Sequence, residues 1–292
     1  MAKIGFIGLG NMGLPMARNL LNFGHRLAGF DVVPAAREAA EAAGIEVVES
    51  AGDAARDAEI VLTMLPNGTL VLQVYEEILK AAAPGTLLID SSTIDVTSSR
   101  AAHDKAEAAG CRAVDAPVSG GVGGATAGTL TFMAGGEDAA FAAAEPVLAQ
   151  MGKKIVHCGP AGAGQAAKIC NNMILGISMI GVSEAFVLAE KLGLDARALY
   201  DVASTSSGQC WSLTTYCPVP GPVPTSPANN GYKPGFAAAL MLKDLTLSQE
   251  AAASAGAKTP LGAHAAAIYE SFVESGFANK DFSGIINAIR QA

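Results

Sequence analysis

Lys168 and Asn172 lie four residues apart in Gly162-Ala163-Gly164-Gln165-Ala166-Ala167-Lys168-Ile169-Cys170-Asn171-Asn172. On a helix that spacing sets both side chains on one face. Lys168 stands between alanine and isoleucine, and the next charged residue downstream is Glu184. An amine in such apolar company loses solvation, which lowers its pKa toward the about 7–8 useful for moving a proton. Asn172 can donate and accept, so it can hold a hydroxyl beside that amine. A surface lysine with a neighbouring asparagine looks the same in sequence, so the pair alone leaves both readings open.

Two glycine-rich stretches have the composition to hold anions. Gly8-Leu9-Gly10-Asn11-Met12-Gly13 follows the apolar run Lys3-Ile4-Gly5-Phe6-Ile7 and precedes Leu14, Met16, Ala17, Leu20 and Leu21 at helical spacing. A strand, a G-x-G-x-x-G turn and a helix form the start of a dinucleotide-binding unit. There Gly8 permits the tight turn, Gly10 admits a pyrophosphate to the backbone, and Gly13 lets helix and strand pack closely. The helix N-terminus, with Asn11 and Met12 leading into it, offers N–H groups to the phosphates. Asp31 closes the next apolar run, where such a unit carries the acid that bonds the adenosine ribose, although it could equally cap a helix beginning at Pro34. The second stretch is Asp115-Ala116-Pro117-Val118-Ser119-Gly120-Gly121-Val122-Gly123-Gly124. The Ser119 hydroxyl and closely approaching N–H groups at Gly120 and Gly121 would suit a substrate carboxylate. An ordinary glycine-rich turn remains the alternative.

The elements that must position these groups alternate through the first half of the chain. Strands are expected at 3–8, 26–31, 45–48, 59–64, 86–89, 112–115, 130–135 and 154–157, with helices such as 12–23 and 35–43 between them. That alternation implies an α/β fold with a Rossmann-type, doubly wound, mostly parallel sheet. Ligands gather at the carboxyl ends of such strands, which here carry Met64-Leu65-Pro66, Asp90-Ser91-Ser92-Thr93 and the Ser119 stretch. Beyond Gly164 the pattern becomes helical, with a long run over 165–192 and a second over 194–203. Residues 1–162 are expected to form the nucleotide-binding domain and 163–292 an all-helical domain entered by a long helix. The proline-rich stretch 216–235 is expected to be an ordered loop within it. Phe236 is a further candidate for the site. Lys243 and Asp244 would form a helix-face ion pair unless the site reaches them.

The chain has 292 residues, half of them hydrophobic, with 19 basic against 27 acidic side chains and a net charge of −8. No basic field for nucleic acid is present, and no uncharged apolar stretch of about 18 residues suggests a membrane span. Five cysteines, none in a C-x-x-C pair, are expected mostly as small buried hydrophobes. Neither they nor the four scattered histidines have metal-ligand spacing. A cytoplasmic enzyme without a metal is the expectation. The helices beyond Ser178 are rich in Ala, Leu and Met, more apolar surface than so small a domain usually hides alone, and imply a homo-oligomer, a dimer or tetramer.

Taken together, GFIGLGNMG, MLP, DSST at 90–93, DAPVSGG at 115–121, GAGQAAKICNN at 162–172 and LMLKDL at 240–245 resemble the β-hydroxyacid dehydrogenases over nearly the whole chain. Within that family the loop carrying Trp211 is similar to that of the 3-hydroxyisobutyrate branch. The resemblance implies oxidation of a small 3-hydroxy acid with NAD, with Lys168 as general acid/base and Asn172 beside it. It assigns the carboxylate grip to Ser119 and Gly120, and it puts Thr93 and Lys243 on the nicotinamide side and Leu65-Pro66 along the dinucleotide. Trp211 and Phe236 join the substrate side. Gln209 stands where that branch often carries Arg, and Leu213-Thr214 where it tends to carry Ser-Asp, so serine or tartronate semialdehyde specificity is the enzymatic alternative. A nucleotide-sensing protein that kept the fold is the non-enzymatic one, but such relatives lose the lysine. Decarboxylating relatives carry Glu where this chain has Leu175.

Overall fold

Alternate residues along the central strands point to opposite faces, and here both faces are apolar. Ile4, Phe6, Ile60, Leu62, Leu87 and Ile89 build one core, while Ile7, Val61 and Leu88 enter a second on the other side. That pattern requires helices on both faces of a sheet. A computed structural model, describing residues 1–291, shows this arrangement. The chain forms two compact units, one over Met1–Lys168 and one from Ile169 onward.

The first unit holds nine strands: β1 (Lys3–Ile7), β2 (Arg26–Phe30), β3 (Glu46–Val47), β4 (Ile60–Thr63), β5 (Leu87–Asp90), β6 (Arg112–Asp115), β7 (Val118–Ser119), β8 (Leu130–Gly135) and β9 (Gly152–Gly159). Its helices are α1 (Gly13–Asn22), α2 (Pro34–Ala42), α3 (Ala51–Ala55), α4 (Gly68–Ala81), α5 (Val96–Ala108), α6 (Gly121–Ala127) and α7 (Asp138–Leu148). The sheet runs β3-β2-β1-β4-β5-β6-β8-β7 with β9 beside β8. The first six strands are parallel and follow the order that reverses direction between β1 and β4, where a doubly wound sheet opens a ligand crevice. β8 runs antiparallel to both β6 and β7. The two-residue β7 is too short to leave a periodic signal in the sequence, and it carries Ser119.

The second unit is helical. The 29-residue α8 (Ala163–Lys191) begins in the first unit and continues into the second, followed by α9 (Ala196–Ala203), α10 (Trp211–Thr214), α11 (Ala238–Ala255), α12 (Pro260–Phe272) and α13 (Ile285–Gln291). By length and composition alone α8 could cross a membrane. Its Met179 and Ile180 instead pack with Met241, Leu245, Tyr269 and Ile285 in the helical core. The proline-rich stretch is ordered, with Cys217, Val219 and Val223 buried beside Phe186 and the Ser226 hydroxyl bonded to the Cys217 carbonyl. One cysteine expectation is corrected. Only Cys111 and Cys217 are buried, whereas Cys158 and Cys210 are half-buried and Cys170 is exposed, because Cys170 falls on the outward side of α8.

Candidate active site

The glycine loop of the first unit is shaped by contacts that no larger residue would allow. A Cβ on Gly8, whose φ is +93°, would lie 2.2 Å from the Met64 carbonyl oxygen, and one on Gly13 would lie 1.8 Å from the Gly8 oxygen. Gly10 has nothing within 4 Å of that position, so its backbone faces open space. Asn11 is exposed and Met12 half-buried at the start of α1, and no side chain caps that helix. These features fit a dinucleotide pyrophosphate approaching the loop. Asp31, just beyond β2, does not cap α2, whose N-cap is Val33. Its carboxylate accepts from the Leu9 N–H at 2.7 Å and the Val33 N–H at 2.8 Å, which ties the glycine loop to the end of β2.

The neighbouring strand ends are joined by a buried polar network. Asp90 accepts from the Thr63 hydroxyl at 2.7 Å and the Ser92 hydroxyl at 2.6 Å, and burial raises its carboxyl pKa. The Ser92 oxygen in turn accepts from the Leu65 N–H at 2.8 Å. This network brings the Met64-Leu65-Pro66 turn and the segment bearing Thr93 together. Further along, Ser119 is half-buried at the end of β7, and Gly120 and Gly121 follow with φ of +136° and +60°. Only glycine adopts that succession of positive φ cheaply.

The first turn of α8 is anchored by Asp115. Its buried carboxylate accepts from the Gly162 N–H at 2.8 Å and the Gln165 N–H at 3.0 Å, and His103 Nε2 lies 2.9 Å away. Helix N–H groups left without intrahelical partners are satisfied in this way. A Cβ on Gly164 would stand 2.2 Å from the Met133 carbonyl, so the helix start is pressed directly onto β8. Lys168, one turn on, is 6% exposed.

In the second unit, Asn172 is 2% exposed and its Nδ2 donates to Asp244 Oδ2 at 2.5 Å, while its Oδ1 accepts from Asn171 at 2.9 Å. Asp244 is itself 4% exposed. The pair expected between Lys243 and Asp244 exists only at 3.9 Å, because Asp244 turns inward to Asn172. Trp211 is exposed and stacks on Tyr216 at 4.9 Å, Tyr216 stacks on Phe282, and Phe236 meets Phe282 edge-on. Asp281 accepts from the Tyr216 hydroxyl and the N–H groups of Gly235 and Phe236. Burial, together with the Asp281 charge, raises the Tyr216 pKa, so its phenol remains a donor.

The first unit matches the family model described as the NAD binding domain of 6-phosphogluconate dehydrogenase, over residues 3–159. The second matches, over residues 162–289, the model described as NAD-binding of NADP-dependent 3-hydroxyisobutyrate dehydrogenase. A protein of Mycobacterium tuberculosis named probable 3-hydroxyisobutyrate dehydrogenase is 55% identical over 290 residues, covering 99% of this chain and 98% of the relative. This chain belongs to the 3-hydroxyisobutyrate dehydrogenase family. The human mitochondrial 3-hydroxyisobutyrate dehydrogenase is 47% identical over 99% of this chain and 87% of its own length. A solved structure of the Mycobacterium tuberculosis 3-hydroxyisobutyrate dehydrogenase with L-serine superimposes with a TM-score of 0.97, at 55% identity and 99% coverage of both chains. The protein is an NAD-dependent oxidoreductase of this family.

Asp115, Gln165, Asp244 and Asp281 are the polar residues that sequence reasoning leaves out of the site. Each finds its decisive partners dozens of positions away, and each is surrounded by residues typical of any helix or loop. Asp115, Gln165 and Asp244 stand inside stretches already singled out, at 115–121, 162–172 and 240–245, whereas Asp281 does not. Among the described residues no group of three or more His, Cys, Asp or Glu could hold a metal ion.

Proposed function

We propose that this dehydrogenase oxidises a short 3-hydroxy acid, with 3-hydroxyisobutyrate preferred, and that Lys168 is its general acid/base. The observation that carries the reading is a buried amine one turn before a buried asparagine on a continuous helix. The amide of that asparagine is fixed by Asp244. Bound NAD supplies the hydride acceptor. The neutral amine of Lys168 takes the hydroxyl proton as the carbon-bound hydrogen departs with its electron pair, the C–O bond becomes a carbonyl, and the proton passes on to solvent. Alcohol and NAD⁺ thus give aldehyde, NADH and one proton. Ser119, with the N–H groups of Gly120 and Gly121, holds the carboxylate. Asn172 orients the reacting hydroxyl, and Trp211 and Phe236 shape the substrate side. Gly8, Gly10, Asn11, Met12, Gly13, Asp31, Met64, Leu65, Pro66, Thr93 and Lys243 serve the cofactor.

L-serine is the competing substrate, favoured by its presence in the Mycobacterium tuberculosis relative's structure. Initial rates with 3-hydroxyisobutyrate, L-serine and glycerate at one pH decide between them. The expected kcat/KM for 3-hydroxyisobutyrate exceeds the others at least about tenfold, or roughly 1.4 kcal/mol of transition-state binding. Equal or better turnover of L-serine would reassign the specificity.

NAD is the preferred cofactor in this reading. A 2′-phosphate beside the Asp31 carboxylate would meet a like charge, and the next residues are Val32 and Val33 rather than Arg. Wild type is expected to favour NAD over NADP at least about tenfold in kcat/KM. Asp31→Asn, which keeps an oxygen to accept a loop N–H, should lose most of that preference. Equal use of both cofactors by the wild type would remove Asp31 from the ribose.

We further infer a cytosolic homo-oligomer. All five cysteines are free, as in a reducing compartment. Leu188 near the end of α8, Leu192 and Leu194 in the turn after it, and Val202 on α9 are all exposed, a concentration of apolar surface that favours association. Sedimentation at micromolar concentration is expected to give a mass above 29.4 kDa, and a monomer would contradict association.

A further inference from the structure

Gln165 is the third residue of α8 and fully buried. A glutamine at that point commonly folds back onto its own helix start. Here it reaches away instead. Its Nε2 donates to the Ser92 carbonyl at 2.7 Å and its Oε1 accepts from the Ile94 N–H at 3.1 Å. Only this orientation of the amide satisfies both partners, since a carbonyl can only accept and an N–H can only donate. The two bonds straddle Thr93. The side chain therefore treats residues 92–94 as a neighbouring strand would, pairing with their backbone on both sides of one residue.

Both ends of this bridge are themselves anchored. Ser92 is held by Asp90 and by the Leu65 N–H. The Gln165 backbone N–H is held by Asp115. Lys168 follows three residues later on the same helix, a spacing that keeps the two residues on adjoining positions of one face.

We propose that Gln165 is a positioning residue that locks the Thr93 segment to the first turn of α8 and so fixes Thr93 relative to Lys168. The inference rests on the reading of Lys168 as acid/base and of Thr93 as a cofactor-side residue. Hydride and proton leave the substrate in one oxidation, so the groups that receive them must be aligned together. A misplacement of about 1 Å in such an arrangement can cost on the order of 10²-fold in rate. One buried amide with two backbone partners is a direct means of preventing it.

Gln165→Met keeps the length and most of the volume of the side chain and deletes both hydrogen bonds. Three readouts on the full-length variant test the proposal. Amide hydrogen exchange at Ile94, measured without cofactor, should accelerate at least about tenfold. The kcat should fall about 10²-fold with the KM for the hydroxy acid moving less than about threefold. The primary deuterium isotope effect on kcat should rise, as hydride transfer becomes more rate-limiting. Accelerated exchange with a kcat near wild type would overturn the proposal, and so would exchange left unchanged. If the methionine variant does not fold, Gln165→Glu decides. Its protonated carboxyl can donate to the Ser92 carbonyl and its carboxylate cannot, so kcat relative to wild type should recover as pH falls. A ratio that stays flat with pH overturns the proposal. Lys168→Ala run alongside separates the two claims. An active Lys168→Ala enzyme defeats the acid/base reading, whereas an inactive one beside a fully active Gln165→Met variant defeats only this inference.

Discussion

Lys168→Ala is expected to lower kcat by about 10²–10⁴-fold while NADH binds within about threefold of its wild-type affinity. Lys168 is 6% exposed, one turn beyond the start of α8 that Asp115 anchors. The glycine loop that suits a dinucleotide is built by separate contacts, between Gly8, Gly13 and Met64. Deleting the amine is therefore expected to remove the proton acceptor and to leave the loop intact. Lys168→Arg separates proton transfer from charge alone, because a guanidinium stays protonated at any working pH. It should be nearly as inactive as the alanine variant. Steady-state rates and NADH fluorescence titration read both quantities. A variant that retains more than about a tenth of wild-type kcat contradicts the assignment.

Asp281→Ala is expected to destabilise the helical unit by about 3–5 kcal/mol. The carboxylate is fully buried and accepts five hydrogen bonds. They come from the Tyr216 hydroxyl at 2.9 Å, Gly235 N–H at 2.9 Å, Phe236 N–H at 3.1 Å, Ser283 N–H at 3.0 Å and the Ser283 hydroxyl at 2.6 Å. Alanine strands those donors, of which the two on Ser283 are buried while Tyr216 and Phe236 are half-buried and Gly235 is exposed, and a buried donor without a partner costs about 1–3 kcal/mol. The packing around them leaves little room to adjust, since a Cβ on Gly235 would sit 2.6 Å from the Tyr216 hydroxyl. Asp281→Asn offers one oxygen and turns an NH₂ group toward donors, so it should recover only part of the loss. Unfolding in urea is the measurement, with a midpoint clearly below wild type expected for both variants and the alanine variant lower. A midpoint within error of wild type would show that Asp281 does not hold the proline-rich loop. Trp211 and Phe236 depend on this knot through Tyr216 and Phe282, so substrate specificity should loosen in any folded variant.

Local chemistry was what the sequence made legible. The glycine loop, the apolar strands before and after it, and the long run that became α8 depend on residues near one another in the chain, where periodicity and turn chemistry decide the outcome. Expected strands such as 112–115 and 130–135 coincide with β6 and β8. Lys168 and Asn172 shared a helix face by spacing alone. What spacing could not convey was their partners. Asp244 lies 72 positions from Asn172, and Gln165 meets Ile94 across 71. No periodic pattern records such pairs, because they form only when separate elements pack. The same limit explains Asp244 itself, which looked like half of a surface ion pair with Lys243. The expectation that the cysteines are mostly buried fails for a related reason, since a small apolar residue on a helix faces inward or outward according to tertiary packing rather than type.

The most direct test of the account follows a labelled hydrogen. 3-Hydroxyisobutyrate carrying two deuterium atoms on its hydroxyl-bearing carbon is incubated with the enzyme and NAD. One deuterium should be recovered in the reduced cofactor and the other retained in the aldehyde, in equal amounts, and the rate should collapse in Lys168→Ala. Deuterium released to solvent in place of the reduced cofactor, or transfer at an undiminished rate without the Lys168 amine, would contradict it.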